Sequence, residues 1–292
     1  MIATSDEHLP TVAIVTGATS GLGREIALEL AQQGYQVVVV GRGADRAAAV
    51  AQEIARATRN RLVESVAVED LARPSEVRRL ATALLARYPR ISLLVNNAGA
   101  FFRRREVTPD DLERTFALNV LSPLLLTELL ADGLRAGAPS RVVNIASAAH
   151  QRHRVPFDDL QFTRRFPGYT VYGTSKLELI LLTRELGRRF AGTGVTVNAV
   201  HPGFVATGFG QNNGGTTAFT IRVLAKLFGR TVQRGAETPV MVATDPSLSS
   251  VTGAYFSDRR VRPGDPASQD MASARRLYDA CETILHGLPG VA

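Results

Sequence analysis

Residues 11–34 read TVAIVTGATSGLGREIALELAQQG. The first six are apolar and rich in β-branched residues, and a glycine halts them, as expected of a short buried strand. From Gly21 the apolar positions recur at helical spacing until Gly34 ends the run. Between strand and helix stand Gly17, Gly21 and Gly23 in a Gly-x3-Gly-x-Gly spacing, with Thr19, Ser20 and Leu22 among them. Glycines let a backbone turn sharply and come close to a pyrophosphate, whose charge then meets free amides and the positive end of the helix dipole. A glycine triplet alone is equally a tight turn. Set between the first strand and the first helix, it reads as a dinucleotide-phosphate loop.

The same alternation continues outward. QVVVVG (36–41), RLVESVAV (61–68), ISLLVN (91–96), RVVNIA (141–146) and GVTVNAV (194–200) read as further buried strands, separated by helical stretches such as PSEVRRLATALLARY (74–88). Alternating strands and helices imply a parallel sheet joined by right-handed crossovers with helices on both faces. The expectation is an α/β Rossmann fold: one domain over residues 1–292 with a doubly wound parallel sheet of about seven strands. No linker or internal repeat divides the chain. Two segments break the rhythm, 148–168 and 203–235, and because such sheets bind ligands at the carboxyl ends of their strands, both should border the site. The second begins with a stretch rich in glycine and asparagine and continues as AFTIRVLAKLF (218–228), which fits either a surface helix over the core or a lid over an apolar substrate. A tail helix is expected over about 268–287, where periodicity leaves open whether it closes the cleft or meets a partner chain.

Composition bounds the rest. The chain has 292 residues, 45% hydrophobic and 21% charged, so it can build one large core. No run reaches the roughly 18 apolar residues of a membrane span, and MIATSDEHLP has no leader pattern; a cytoplasmic protein is expected. Cys281, the single cysteine, excludes an internal disulfide and any multi-thiolate metal site. The net charge of +7 is carried by arginines, since Lys176 and Lys226 are the only lysines. The arginines are spread over helical faces, and the densest run, FFRRREV (101–107), belongs to no nucleic-acid module, so no nucleic-acid partner is expected.

The second strand ends VVVVGR. An acid there would bond a ribose 2′-hydroxyl, whereas arginine suits a 2′-phosphate. Gly41 and Arg42 occupy the turn with Arg46 one helical turn on, and the pattern points to NADP(H). Further along, YGTSK places Tyr172 and Lys176 four apart on one helix face, where each can influence the other's proton.

Several motifs in order, TGATSGLG, EDL (69–71), NNAG (96–99), NV at Asn119, Ser147 after the fifth strand, YGTSK and HPGFVAT (201–207), closely resemble the short-chain dehydrogenase/reductase family. FDDLQF between Ser147 and Tyr172, and GAYFSD near residues 253–258, resemble its retinol dehydrogenase-like branch. The resemblance implies that Tyr172 is the general acid or base, that Lys176 lowers its pKa and bonds the nicotinamide ribose, that Ser147 bonds the substrate oxygen, and that Asn119 holds a relay water. It implies that residues 17–23 and Arg42 bind phosphates, that Asp70 and Leu71 flank the adenine, that Asn97, Ala98 and Gly99 line the ribose, and that Pro202, Gly203, Val205 and Thr207 hold the nicotinamide.

The expected function is therefore an NADP(H)-dependent oxidoreductase, a ketoreductase or alcohol dehydrogenase. Its substrate would be a bulky apolar carbonyl or secondary alcohol of polyketide, steroid or retinoid type, met by Phe101, Phe102, Val155 to Phe157, Phe204, Phe209 and Phe219. Core packing accounts for the same aromatics equally well. The alternative is a nucleotide-sensing protein that keeps the fold without chemistry, against which the intact Asn119, Ser147, Tyr172, Lys176 set argues. No metal is expected: His150 and His153 are read as a polar rim and His201 as a residue typical of the branch. The resemblance also implies a homodimer or homotetramer pairing through the helices that carry Asn119 and Tyr172.

Overall fold

A computed structural model describes residues 11–204 and 231–288. Its centre is an eight-stranded sheet ordered β3-β2-β1-β4-β5-β6-β7-β8. The strands are β1 (Val12–Thr16), β2 (Gln36–Gly41), β3 (Val63–Ala67), β4 (Leu93–Asn96), β5 (Ser140–Ile145), β6 (Val195–His201), β7 (Tyr255–Ser257) and β8 (Arg260–Arg262). The first seven run parallel, and β8 turns back antiparallel on β7. Strand order reverses between β1 and β4, which opens a crevice at their carboxyl ends.

Alternation along β1 sorts the core into two layers. Val12 and Ile14 face a cluster with α3 (Pro74–Arg87), α5 (Ser122–Leu129), α7 (Gly168–Arg189) and α9 (Met271–His286). Ala13 and Val15 face the other, built from α1 (Gly21–Gln32), α2 (Ala44–Thr58) and α8 (Val232–Thr244). The short α4 (Arg114–Phe116) and α6 (Ala131–Ala136) flank α5.

Two points differ from the sequence reading. The sheet has eight strands rather than about seven. The additional β8 is fully exposed and polar at two of its three positions, and its hairpin turns on Asp258 and Arg259 at positive φ rather than on a glycine, so neither hydrophobic pattern nor turn chemistry announces it. The third strand, expected to be buried, is a half-exposed edge. The segment proposed as a lid lies largely outside the described residues.

The tail helix α9 lies along α7 of its own chain. Its stripe of Ala274, Leu277, Tyr278, Cys281 and Leu285 is buried there, the Tyr278 hydroxyl donates to Glu128 on α5 at 2.8 Å, and the Arg189 guanidinium stacks 3.6 Å from the Tyr278 ring. Any pairing of subunits on α5 and α7 has to use what α9 leaves open. Among the described residues no helix is long and apolar enough to cross a membrane.

A buried polar chain ties the sheet to the helices beside the crevice. Asn96 Nδ2 donates to Thr127 Oγ1 on α5 at 3.1 Å and to Asn144 Oδ1 on β5 at 2.9 Å, and Asn144 Nδ2 donates to Thr183 Oγ1 on α7 at 2.9 Å. Removing one member strands its neighbours, at about 1–3 kcal/mol for each unsatisfied group. Asn144→Ala should therefore lower unfolding free energy by about 2–4 kcal/mol in urea titration; a loss below about 1 kcal/mol would show that the network contributes little.

Candidate active site

The crevice is floored by contacts between the turn after β1 and the turn after β4. Thr16 Oγ1 accepts the amides of Asn97 at 3.0 Å and Ala98 at 3.1 Å, and Asn97 Nδ2 donates back to the carbonyls of Thr16 at 2.9 Å and Gly17 at 3.3 Å. Gly17 and Gly21 have φ of +65° and +54°, a region glycine enters without strain. A Cβ on Gly23 would stand 2.3 Å from Asn97 Nδ2 and 2.5 Å from the Gly17 carbonyl oxygen, so no side chain fits. The Asn97 side-chain nitrogen is engaged beneath the glycine turn, and Asn97, Ala98 and Gly99 continue along the crevice. At the start of α1, Ser20 makes no side-chain cap bond and the first turn carries no acid, so the leading amides remain available to an anion. Leu22 is buried beneath them.

At the other end of this turn a Cβ on Gly41 would fall 2.2 Å from Thr19 Cγ2. An acid at Gly41, the place where it would meet a 2′-hydroxyl, requires Thr19 to move. Arg42 and Arg46 are exposed, and among the described residues neither forms an ion pair. These features fit a phosphorylated dinucleotide. Asp70 Oδ1 caps the Ala72 amide at 3.0 Å, and Asp70 Oδ2 accepts from Arg114 at 2.6 Å; Leu71 beside it is buried. Arg114 also stacks over Phe102 at 5.6 Å and reaches Glu106 at 3.7 Å. Sequence reasoning missed Arg114, whose role depends on a partner 44 positions away.

The proton-handling residues converge from four elements. Tyr172 and Lys176 lie on one face of α7, both buried, with Lys176 Nζ 5.8 Å from the phenol ring. Lys176 Nζ donates to the Ile145 carbonyl at the end of β5 at 2.9 Å. Asn119 sits on a π-helical turn, Ala117–Leu121, a form that helices adopt frequently at functional sites. Its Nδ2 donates to the Ala100 carbonyl and to Ser175 Oγ, both at 3.0 Å, and its Oδ1 accepts the Ala100 amide at 3.0 Å. Ser175, inside the YGTSK motif, thus joins Asn119 to α7; its own hydroxyl donates to the Tyr172 carbonyl at 2.8 Å. Gly99 completes the group, since a Cβ there would touch both Asn119 Oδ1 at 3.1 Å and Lys176 Nζ at 3.3 Å. Ser147 hydrogen-bonds the Tyr172 hydroxyl. Pro202 is buried and Gly203 has φ +86° at the carboxyl end of β6, while Val205, Thr207, Phe209 and Phe219 lie outside the described residues.

Electrostatics here differ from the sequence expectation. Lys176 was expected to pull the Tyr172 pKa down. Burial instead pushes Tyr172 well above the usual phenol value, with the Ser147 hydrogen bond opposing the rise and Tyr169 adding to it. The ammonium suffers the matching effect, because burial lowers Lys176 from 10.5 to about 8. The phenol is therefore held protonated, as a donor.

The aromatic expectations also divide. Phe101 meets Tyr172 edge-on, centroids 6.0 Å apart, and forms an apolar wall at the site. Phe102 is buried under Arg114. Val155 and Phe157 line a cavity with Leu177, Leu181, Ala267 and Arg154, on the α7 face one position round from Tyr172 and Lys176. Nor is His150 a rim residue: it is fully buried, its Nδ1 2.7 Å from the Ser147 carbonyl. His153 is half-buried, packed where Gly173 leaves room, and His201 Nδ1 accepts the Ala148 amide at 3.2 Å. Among the described residues no group of three or more His, Cys, Asp or Glu could hold a metal ion.

Known proteins resemble this chain in sequence and in fold. A family model described as short chain dehydrogenase matches residues 11–217. Retinol dehydrogenase 13 from Homo sapiens is 37% identical over 271 residues, covering 91% of this chain and 81% of that protein. The crystal structure of an uncharacterized protein from Mycobacterium paratuberculosis superposes with a TM-score of 0.74 at 26% identity, covering 95% of this chain and 96% of the other. A short chain dehydrogenase from Burkholderia cenocepacia in complex with NADP gives a TM-score of 0.66 at 29% identity over 84% of this chain and 95% of its own.

The burial of Lys176 has a pH signature. Between pH 8 and 10.5 an unfolded chain keeps a proton on this lysine that the folded chain has released. Wherever the unfolded state binds more protons, stability rises with pH, here by up to about 1.4 kcal/mol per unit. Lys176→Met removes the group, so the stability of the wild type relative to the variant should increase from pH 8 to 10.5 in denaturant titrations. A difference that stays flat across that range would show that the lysine is not desolvated.

Proposed function

The chain belongs to the short-chain dehydrogenase/reductase family, retinol dehydrogenase-like, and on that premise we propose that it is an NADP(H)-dependent oxidoreductase. It would interconvert a carbonyl and the corresponding alcohol of a bulky apolar compound. One observation carries the reading: a buried Tyr172 hydroxyl paired with Ser147, with Lys176 buried beside it on the same helix face.

The glycine turn and the leading amides of α1 would hold the pyrophosphate, and Arg42 with Arg46 the 2′-phosphate. Asp70 and Leu71 would flank the adenine, Ala98 and Gly99 the ribose, and Pro202, Gly203, Val205 and Thr207 the nicotinamide. The nicotinamide, when bound, supplies or accepts the hydride. In reduction the substrate oxygen would sit between Ser147 and Tyr172, and the Tyr172 hydroxyl would give it a proton. Charge left on the phenol oxygen would be met by the Ser147 hydroxyl and the Lys176 ammonium, donors already in place before the reaction. Oxidation uses the same groups in reverse, with Tyr172 accepting the alcohol proton. Phe101 gives an apolar contact beside Tyr172, and the likeness to a retinol dehydrogenase makes retinoid aldehydes and alcohols the first substrates to try.

The test combines cofactor titration with turnover. NADPH should bind more tightly than NADH, and Arg42→Ala should weaken NADPH by about tenfold while leaving NADH unchanged. Tyr172→Phe should retain NADPH affinity but lose on the order of 10² or more in kcat on a retinoid or aryl ketone panel. Equal affinity for both dinucleotides would remove the 2′-phosphate assignment, and full activity of Tyr172→Phe would remove the proton-donor assignment.

A further inference from the structure

Ser147 is held by more than its place at a strand end. Its hydroxyl accepts the Ala149 amide at 3.1 Å, capping the short 3-10 turn Ala148–His150. Its carbonyl accepts the His150 amide at 3.2 Å and lies 2.7 Å from His150 Nδ1. The His150 ring is fully buried, edge-on to Tyr255 with centroids 5.0 Å apart. Its far nitrogen, Nε2, lies 3.2 Å from the amide nitrogen of Asp265, 115 positions later.

The two partners fix the imidazole. A carbonyl oxygen can only accept, so Nδ1 must carry the proton; a backbone amide can only donate, so Nε2 must be bare. One neutral tautomer satisfies both bonds. At the far end the connector before α9 is itself tightly built. Asp265 Oδ2 accepts the Arg152 amide at 3.0 Å, Asp265 Oδ1 accepts the Ala267 amide at 3.0 Å, and the Asp265 carbonyl accepts Ser268 Oγ at 2.6 Å. Gly264 precedes it at φ +76°, and a Cβ there would press within 2.5 Å of Ser268 Oγ.

We propose that His150 is a positioning residue: the Asp265 amide holds its ring in the Nδ1–H tautomer, and that N–H fixes the Ser147 carbonyl and with it the orientation of the Ser147–Tyr172 pair. The inference rests on the oxidoreductase reading for its consequence in catalysis, but not for its geometry. His150 is fully buried and acts through Ser147. Misplacing a reacting group by a fraction of a bond length is enough to cost up to about 100-fold in rate.

Two measurements test it. Long-range 15N–1H correlation spectra of histidine-labelled full-length protein at pH 7.5, with His150 assigned through the signal that H150N removes, should show the Nδ1–H tautomer; an Nε2–H or charged imidazole overturns the proposal without reference to activity. Kinetics then separate bracing from bulk stability. Asn can place an amide N–H where Nδ1–H stands, whereas Gln places its amide near Nε2 and leaves the Ser147 carbonyl without that donor. H150N should stay within about threefold of wild-type kcat and H150Q should fall by about 10- to 100-fold, with the KM for NADPH unchanged in both. Equal losses in the two variants, tracking equal falls in Tm, would make His150 a packing residue only and overturn the proposal. A wild type that turns over no carbonyl with NADPH would sink the oxidoreductase reading instead, and the brace then stands or falls on the tautomer alone.

Discussion

The contact between the turn after β1 and the turn after β4 is the constraint on which the rest depends. Parallel pairing of β1 with both β2 and β4 leaves their carboxyl ends side by side, and Thr16 and Asn97 exchange hydrogen bonds across the gap. That exchange satisfies backbone groups that would otherwise be orphaned at the strand ends. It also holds the Gly17–Gly23 turn so close to Asn97 that a single methyl group would not fit. The direction of α1, and with it the amides offered to a phosphate, follows from this contact. So does the course of residues 98–100, which lead directly to Asn119 and Lys176.

The second requirement is that α7 carry polar groups through the interior. Its Tyr172, Thr174, Ser175, Lys176 and Thr183 are all buried, an expensive set for one helix. Each of Ser175, Lys176 and Thr183 has an identified partner: a carbonyl of its own helix and Asn119 for Ser175, the Ile145 carbonyl for Lys176, Asn144 and the Leu179 carbonyl for Thr183. Because these partners lie on β5 and on the π-helical turn, they fix both the rotation and the axial position of α7 against the sheet. Burial raises the Tyr172 pKa and lowers that of Lys176, so the same desolvation drives the two groups' proton affinities apart. Pairs with environments that shift their pKa values are the usual signature of proton-transfer sites.

The sequence made legible whatever is repeated or local. The β-branched runs and the glycine turn gave the parallel sheet, and the i, i+4 spacing gave the Tyr172–Lys176 face. What it hid is long-range or depends on burial. Arg114 finds Asp70 and Phe102 only after folding, and nothing local within YGTSK singles out Ser175 as the partner of Asn119. His150 looked like a rim residue because no local pattern shows that Tyr255 and Asp265 close over it. The sign of the Tyr172 shift was missed for a related reason: the charge of Lys176 is written in the sequence, but the water excluded from both groups is not. The polar hairpin at β8 escaped because edge strands need no apolar face.

Arg114 and His150 show how one site can be made from distant parts without a second domain. The Arg114 guanidinium joins Asp70, beside the expected adenine position, to the loop carrying Phe101 and Phe102, of which Phe101 lies against Tyr172. His150 joins Ser147 to the connector that leads into α9, and α9 in turn covers α7, the helix of Tyr172 and Lys176. The crevice is thereby closed into a ring of contacts: β1 to β4, β4 to α5 and through β5 to α7, α7 to α9, and the connector before α9 back to the end of β5. In such a ring a shift of one segment is passed to its neighbours, because it breaks apolar packing or hydrogen bonds that are costly to leave unmade inside a protein. The rigidity needed to aim a proton donor is in this way a property of the whole chain, and the C-terminal connector is as much a wall of the site as the glycine turn.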